Sequence, residues 1–426
     1  MKLNQICQKW PLLFAMAIGV LALPAISQEI DATNTLTLDR AIQIALENNP
    51  EARASGNRVA AAGGRAYQAK KWTNPELQLS AEDWPVSKGR GFSDAKQTIG
   101  IAQTLPYPGK KSLDKQIGGA GVKLSEAELA LRRTELVRDV KASFMKVLAY
   151  ERLVGVSVEL VRVAESSAAT AQKRVDAGAT AYQEQLRAEV QLEQTRTELT
   201  DFQRELAIAR QIFITLLGTN MKDATLVGAL AETPNPALME EGTECLLARH
   251  PGAAVAQANL ARAQLEHRRE RLEPYPDVRV GVSGGRIGES GESIIQVGLS
   301  LPLPIIDRSK GKQQETWANV RVAEAELQVV QQQLLREWVS ARNRYQTAIE
   351  QVSKYRERIL PKTSEALRLV QTGFEQGKFS FIDLLDTQRT TSEARLAYQQ
   401  KLLEMNIAQA ELEALIHPQT SQSFNK

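Results

Sequence analysis

Apolar side chains between residues 334 and 359 recur at alternating spacings of four and three. The positions between them carry charge, as at Arg342, Glu350 and Lys354. This heptad pattern predicts a helix with one apolar seam, and such a helix needs partner helices along its whole length. The seam consists of Leu334, Trp338, Ala341, Tyr345, Ala348, Val352, Tyr355 and Ile359.

Two further segments keep this spacing and predict partner helices. We expect one long helix over 118–174 and another over 310–373, the latter kinked at Pro361 because proline lacks a backbone donor. At 1.5 Å per residue these helices reach about 85–95 Å, more than a globular domain needs. The expected seams are Val137, Val140, Phe144, Val147, Val154, Val158 and Val161 in the first long helix, and Leu192, Leu199, Phe202, Leu206, Ala209, Phe213 and Leu216 in the helix that returns from it.

Four shorter segments alternate apolar and polar residues and predict strands over 76–82, 97–105, 277–283 and 293–301. Each is close to the roughly 9–11 residues with which a tilted strand crosses a bilayer. The same alternation is typical of a small soluble sheet with one wet face, so the strands alone leave both interpretations open. Two hairpins cannot close a barrel, and a membrane-crossing sheet would need strands from several chains.

The segments between the paired strands, 83–96 and 284–292, are rich in Gly, Ser and charge and are predicted to be exposed loops. Aromatic residues stand at or just beyond the strand ends, where an interfacial girdle would lie. These residues are Trp72, Trp84, Phe92, Tyr107 and Tyr275.

The chain repeats its own pattern at a period of about 200 residues. We therefore predict two structural repeats, 36–218 and 242–416, which divide the chain into 28–241 (with a linker) and 242–426 (with a C-terminal tail). Each repeat opens with a helix of about 30 residues, expected over 38–71 and 244–272, which stacks end to end with the return helix. The matching positions are Asn49-Pro50 with His250-Pro251, Leu105-Pro106 with Leu301-Pro302, and Gly178 with Gly377; Asp39 is the expected cap of the first helix.

The N-terminus has the pattern of a secretory signal peptide, predicted over 1–27. A basic start is followed by a short apolar run and by small residues, and Pro24 breaks the run. An uncleaved anchor helix is the alternative, which the shortness of the run disfavours. The remaining chain would carry a formal charge of +1, since the removed segment contains two lysines and no acid while the whole chain carries +3.

This near-neutral charge argues against nucleic acid as a partner. Cys245 is the one cysteine beyond the signal segment, so no intramolecular disulfide is expected. The three histidines, at 250, 267 and 417, lack metal-ligand spacing, and no Gly-rich phosphate loop follows a strand. The Gly118–Gly121 segment leads into the first long helix but has no strand and no Lys-Ser/Thr partner of a phosphate loop. The sequence predicts no catalytic set and no cofactor.

The helix reversals are predicted at 175–181 and 374–380, where Gly178 and Gly377 end one helix before Ser or Thr opens the next. Just past the second reversal, Asp383 and Asp386 share a helix face. In one chain they are a solvated face; in a ring of identical chains they would form stacked carboxylate rings that favour cations. The first repeat has Glu184 and Arg187 at the matching places.

This arrangement of two helix–strand–strand–long-helix–helix repeats resembles the TolC family of outer-membrane efflux proteins over essentially the whole mature chain. The resemblance rests on the order of the elements, on the tips at Arg174–Gly178 and Gly373–Gly377, and on Leu217-Gly218 at the end of the first repeat. It implies a mainly α fold with a small β part: a homotrimer whose chains each lend four strands to one twelve-stranded barrel in the outer-membrane lipid, above a helical coiled-coil tunnel in the periplasm.

The same resemblance implies a passive exit duct of a tripartite pump. Its partners would be a periplasmic adaptor (membrane fusion protein) and an inner-membrane pump of the resistance-nodulation-division class. The docking tips would include Arg174, Gly178, Gly377 and Lys378, and Asp383 and Asp386 would form the pore gate. The segment from Gln103 to Lys111 is similar to the strand exit of the heavy-metal cation (Czc-like) subgroup, although no His- or Met-rich tract marks a metal cargo.

Two alternatives compete with a duct. A periplasmic coiled-coil adaptor or scaffold would usually have one hairpin flanked by β-rich domains, whereas this chain has a strand pair in each of two repeats. A secreted enzyme would need convergent nucleophile, base or metal ligands, which the sequence lacks. We therefore expect a transport protein and no enzyme.

Overall fold

The computed structural model describes residues 35–83, 92–219, 221, 224–240 and 242–418. The predicted signal peptide, Trp84 and the end of the C-terminal tail lie outside the described residues, as does the side chain of Cys245. Within the described ranges, no helix is both long and apolar enough to cross a membrane.

The fold is mainly helical with a four-stranded antiparallel sheet, which confirms the predicted fold class. The long helices and their return helices dominate the chain. The helices are α1 (Leu38–Asn48), α2 (Pro50–Ala69), α3 (Lys110–Asp176), α4 (Tyr182–Leu217), α5 (Ala237–Glu240), α6 (Thr243–Arg249), α7 (Pro251–Glu270), α8 (Lys310–Lys354), α9 (Leu360–Glu375) and α10 (Phe381–Ile416).

The main sheet has the order β2-β3-β5-β6, with strands β2 (Glu76–Glu82), β3 (Lys96–Leu105), β5 (Val278–Ile287) and β6 (Ser293–Ser300). Strand β5 continues through residues 284–287, which were expected to be loop. Glycine permits this, because a Cβ on Gly285 would collide with the carbonyl oxygen of Gln97. A short parallel pair, β1 (Thr35–Leu36) and β4 (Thr225–Leu226), was not predicted.

The predicted seam of α8 is largely confirmed. Six of its eight side chains are buried, from Leu334 to Val352, and Tyr345 is fully buried. Tyr355 and Ile359 are only half-buried. They lie in a π-helical turn, Tyr355–Ile359, just before Pro361. The missing donor of Pro361 is therefore accommodated in a helical rod that continues from Lys310 to Glu375.

The seam predicted for α3 is buried up to Val147, whereas beyond it Val154 and Val161 are only half-buried and Val158 is wrong. Val158 is 42% exposed, while Leu153, Ser157 and Leu160 are buried. Beyond this point α3 buries leucines together with serines and alanines, whose small side chains allow close approach of a neighbouring helix.

Helix α3 begins at Lys110, eight residues earlier than expected, and its 67 residues reach about 100 Å. The glycines at 118–121 thus lie within the helix rather than before it. Gly118 has a packing reason, because a Cβ there would lie 2.9 Å from the Cα of Ala66 in α2. The backbones of α2 and α3 approach closely at this point.

The Asn-Pro and His-Pro pairs have the same structural role. Asn49 and His250 each end one helix and cap the next: Asn49 Oδ1 accepts the Glu51 N–H (2.9 Å) and His250 Nδ1 accepts the Gly252 N–H (3.1 Å). Asn49 also donates to the Leu216 carbonyl (2.9 Å), which joins α2 end to end with α4 as expected. The cap of α1 is Thr37 rather than Asp39, which lies in the first turn.

A charged cluster joins the sheet to the helices. Lys110, which is 3% exposed, lies 3.0 Å from Asp277 Oδ1 and 3.7 Å from Glu273 Oε2. Arg269 bridges Glu273 (2.6 Å) and Asp114 (2.9 Å). The Arg269 guanidinium holds the pKa of Glu273 below its usual value; burial opposes the ionisation of Asp277, but the Tyr107 N–H and Lys110 outweigh it and lower that pKa too.

Replacing Lys110 with Met is expected to lower the stability of the detergent-solubilised protein by about 2 kcal/mol, because two half-exposed carboxylates lose their buried counter-ion. Carboxyl groups with depressed pKa values contribute their full stabilisation above their ordinary pKa of about 4, and they lose it as the pH falls from there through the lower pKa of the folded state. The thermal midpoint should therefore drop less between about pH 4.5 and about pH 2.5 in Lys110→Met than in the wild type. Lys111→Met, the half-buried neighbour, is the control; equal effects of the two would contradict the assignment.

Candidate functional site

The two helix reversals are built alike. In each, a glycine in the left-handed region ends the helix: Gly178 has φ +67° and Gly377 has φ +72°. Both turns make the same pair of backbone hydrogen bonds, which define a Schellman motif. The bonds run from Gly178 N to Val175 O, Ala179 N to Arg174 O, Gly377 N to Phe374 O and Lys378 N to Gly373 O, at 2.7–3.0 Å.

The structure separates the predicted tip residues into two kinds. Gly178, Gly377 and Lys378 are exposed at the reversals. Arg174 is half-buried, with its guanidinium 4.8 Å from the centre of the Phe374 ring. Arg174 therefore connects the α3–α4 hairpin to the α9–α10 hairpin within one chain.

An apolar cluster supports this connection. Ala171, Ala188, Phe381 and Leu384 are buried together, one pair from each hairpin. The Phe374 ring lies 5.7 Å from that of Phe381. The two tips are thus packed as one unit.

The two candidate gate carboxylates differ in their surroundings. Asp383 forms a capping box with Ser380: it accepts the Ser380 N–H (2.9 Å), and the Ser380 hydroxyl accepts the Asp383 N–H (3.2 Å). The Ser380 hydroxyl, followed by its N–H, lowers the pKa of Asp383. Asp386, 65% exposed, pairs with Arg389 one turn on (2.9 Å).

Glycine at the second tip is required by its backbone conformation. We expect Gly377→Ala to destabilise the tip by about 1–2 kcal/mol, because an L-residue in the left-handed region is strained, although the space around it is open. Hydrogen exchange of residues 373–381 should then be roughly 5- to 30-fold faster. Gly119→Ala, in a helix interior with open space, should leave exchange unchanged. Unaltered tip exchange in Gly377→Ala would contradict this role.

Sequence reasoning missed an acidic groove between α4 and α10. The groove has a volume of about 810 Å³ and is lined by Glu189, Glu193, Glu198 and Glu393. Burial, followed by the charges of Glu393 and Asp201, raises the pKa of Glu198. In the sequence these carboxylates have the pattern of the solvent-exposed side of a heptad helix. Nothing in that pattern indicates that glutamates of α4 and α10 line one groove.

The sheet exposes an apolar face. Leu77, Ile101, Val282 and Val297 are register partners across all four strands and are 53–75% exposed. The opposite face carries a polar row, which consists of Gln78, Gly100, Ser283 and Gln296. An exposed apolar face that extends across four strands marks a surface that contacts lipid or another protein.

An apolar-faced sheet joined to helical hairpins about 100 Å long is the architecture of a channel subunit of the outer membrane. The comparisons with known proteins agree. The chain belongs to the outer membrane efflux protein family, whose model matches residues 41–219 and 244–416. It is therefore an outer-membrane efflux protein that extends into the periplasm.

Three similar proteins illustrate the relationship. The cobalt-zinc-cadmium resistance protein CzcC of Cupriavidus metallidurans is 29% identical over 372 residues, which cover 86% of this chain and 87% of that protein. The outer-membrane channel OprN has the same fold, with a TM-score of 0.76 at 19% identity over 90% of each chain. CusC, described in connection with transmembrane channel formation, gives a TM-score of 0.74 at 18% identity, covering 89% of this chain and 91% of that one.

Proposed function

We propose that three copies of this chain form the exit duct of a tripartite efflux pump. The observation that carries the proposal is that the sheet is incomplete in one chain. Its apolar face is exposed, and β2 and β6 are edge strands within the described residues. Unpaired strand edges are costly in lipid, and four strands cannot close on themselves. Three chains with four strands each supply a twelve-stranded barrel.

The long helices are also incompletely covered in a single chain. Apolar side chains stay exposed on one stripe of α4 and on another of α8, and a second copy of the chain is the occupant that would cover both along their length. The exposed residues are Tyr182, Leu186, Val190, Ile208 and Ile212 on α4, and Trp317, Val322, Val329 and Val339 on α8. In this assembly the chain comprises two structural repeats, 28–241 and 242–426, after removal of residues 1–27.

The cargo we propose is metal cations. The support is the relationship to CzcC, which is named for resistance to cobalt, zinc and cadmium. Among the described residues, no group of three His, Cys, Asp or Glu side chains is placed to hold a metal ion. In a duct of this kind the cation is cargo that passes through the lumen, and the chain conducts it without catalysis.

The partners we propose are a periplasmic adaptor and an inner-membrane pump of the resistance-nodulation-division class. The docking surface is the paired tip, with Gly178, Gly377 and Lys378 exposed at its end and Arg174 behind them. Because Arg174 bridges the hairpins, it would act by holding the surface together rather than by direct contact. An adaptor that separates the hairpins would shift the tip between two packings.

We further propose that Asp386 and Asp383 line the gate as rings of carboxylates. In the double variant Asp383→Asn/Asp386→Asn, the preference of the pore for K⁺ over Cl⁻ should fall by about twofold or more, because these rings concentrate cations at the constriction. The reversal potential in a planar bilayer under a salt gradient measures this. Asn keeps an oxygen that can accept the Ser380 N–H, so the helix cap is preserved.

Asp201→Asn is the matched control for the gate. Asp201 pairs with Arg204 at 2.9 Å and with the same three-residue spacing as Asp386 and Arg389, but it lies away from the tip. The control should leave the reversal potential unchanged. Unaltered selectivity in the double variant, or an equal change in Asp201→Asn, would remove the gate assignment.

The duct itself is tested by single-channel recording of the purified protein in planar bilayers. Large, stable conductance steps are expected. A bilayer that shows no conductance after addition of the protein would instead favour a periplasmic adaptor or scaffold. The cargo is tested separately by cobalt, zinc and cadmium tolerance of cells that carry the chain with its pump. A conducting pore whose loss leaves metal tolerance unchanged would contradict the cargo and leave the duct intact.

A further inference from the structure

The four connections between sheet and helices meet at one end of the sheet. They comprise residues 67–75, 106–112, 268–277 and 301–312, and we call them the collar. The first connection is tied to the end of β3, where Gln103 Nε2 donates to the Thr73 carbonyl (2.9 Å). The second and third connections contact each other directly, because the Tyr107 and Tyr275 rings stack at 4.7 Å. The fourth begins where β6 ends, beside β5.

The collar is strongly basic although the chain as a whole is nearly neutral. It contains ten basic and four acidic residues. Three of the acids are engaged within the collar: Glu273 and Asp277 by Lys110, and Asp307 by the Ser309 N–H (2.8 Å). The segments of the chain that join β2 to β3 and β5 to β6, residues 83–95 and 288–292, contain four acids and two basic residues. The excess positive charge is therefore confined to the helix side of the sheet.

The basic side chains that face outward have no counter-ion of their own. Within the part of the chain that the structure describes, none of the exposed ones forms an ion pair. They are Lys70, Lys71, Arg268, Arg271, Arg308, Lys310 and Lys312.

Exposed apolar and aromatic side chains alternate with these cations. Lys71 Nζ lies 4.4 Å from the centre of the Tyr67 ring, and Trp72 follows at 58% exposure. Tyr275 is 49% exposed, and Ile306 is fully exposed. Amphipathic rings and snorkelling cations are the residue types that suit a bilayer–water interface. The collar is continuous with the apolar face of the sheet through Leu301, Leu303 and Ile305.

We propose that the collar binds the headgroups of anionic phospholipids in the periplasmic leaflet of the outer membrane. This inference rests on the proposed duct, because the sheet must lie in the bilayer for the collar to meet that leaflet. The helices extend into the periplasm, so the helix end of the sheet faces the inner leaflet. Juxtamembrane lysines and arginines are attracted by the negative surface of such a leaflet, and the adjacent rings and aliphatic chains anchor at the same depth.

The proposal predicts a lipid preference that depends on charge. The whole mature protein is reconstituted in nanodiscs of phosphatidylcholine with and without phosphatidylglycerol, and the lipids that remain bound after partial delipidation are counted by native mass spectrometry. The wild type should retain phosphatidylglycerol roughly tenfold over phosphatidylcholine, and the preference should fall as salt rises. Inorganic phosphate at millimolar concentration should not compete, because the apolar anchors recognise a lipid and not a free anion.

The collar variant carries Lys70→Gln, Lys71→Gln, Lys310→Gln and Lys312→Gln. The control variant carries Lys173→Gln, Arg187→Gln, Arg336→Gln and Lys354→Gln, which removes the same charge from exposed positions on the helices. The collar variant should lose the preference while the control keeps it. A second variant, with only Lys310→Gln and Lys312→Gln, replaces the first if the four substitutions prevent assembly.

Three results would overturn the proposal: equal retention of both lipids by the wild type, an unchanged preference in the collar variant, or an equal loss in the control. Conductance is recorded on the same samples. A conducting wild type without lipid preference removes the collar assignment alone, whereas a wild type that neither assembles nor conducts removes the proposed duct.

Discussion

An arginine in place of Val297 is expected to prevent the protein from assembling in the membrane. Val297 lies in the middle of β6, is 75% exposed and belongs to the apolar row that crosses the sheet. A charged side chain at mid-depth on the lipid face of a barrel costs about 2–4 kcal/mol, and each of the three chains of the proposed assembly would bear that cost. The yield of heat-stable oligomer from outer-membrane extracts measures the effect, and it should fall to near zero.

Gln296→Arg provides the control for this experiment. Gln296 is the preceding residue of the same strand and lies on the polar face, opposite Ser283. On that face the arginine would meet water in the lumen, and assembly should be retained. If both variants assemble equally well, the apolar face does not contact lipid, and the sheet is the small soluble one with a wet face that the alternation also allowed.

The second large effect is expected in the helical core. Tyr345 is fully buried in the α8 seam, and its hydroxyl accepts the Asn235 N–H at 2.9 Å and lies 3.4 Å from Gln409 Oε1. Tyr345→Ala should lower the free energy of unfolding by about 3–5 kcal/mol, because it opens a large cavity and leaves polar partners unsatisfied. The thermal midpoint of the detergent-solubilised protein reports the loss.

Two companion variants separate the contributions at Tyr345. Tyr345→Phe keeps the ring and should cost about 1 kcal/mol, since only the hydrogen bonds are lost. Gln346→Ala changes the exposed neighbour and should lie within about 0.5 kcal/mol of the wild type. A small effect of Tyr345→Ala would contradict the buried seam.

The heptad and alternation patterns predicted most of the fold because each reflects local geometry. The α8 seam, the strand positions and the left-handed glycines at 178 and 377 follow from one-dimensional spacing and backbone sterics. The α3 seam beyond Val147 could not be read in this way. There the buried positions include Ser157 and Ser167, which are chosen by close approach of neighbouring helices and not by hydrophobicity.

Candidate sites were less accessible from the sequence than the fold. Asp383 lies three residues after Ser380, and the three-dimensional structure shows that the two residues cap helix α10 through reciprocal hydrogen bonds. The sequence placed Arg174 at a docking tip, but its contact with Phe374 spans 200 residues and has no local signature. The basic collar is likewise assembled from four separate segments. Its charge is visible only when the sheet brings them together.

The mass of the protein extracted from the outer membrane tests the architecture most directly. Within the described residues one chain has a four-stranded sheet with two edges, so a sealed duct needs strands from further chains, and the proposed assembly has three. Light scattering or native mass spectrometry of the solubilised protein should give three times the mass of the mature polypeptide. A homogeneous monomer, recovered from the periplasm without detergent, would contradict it.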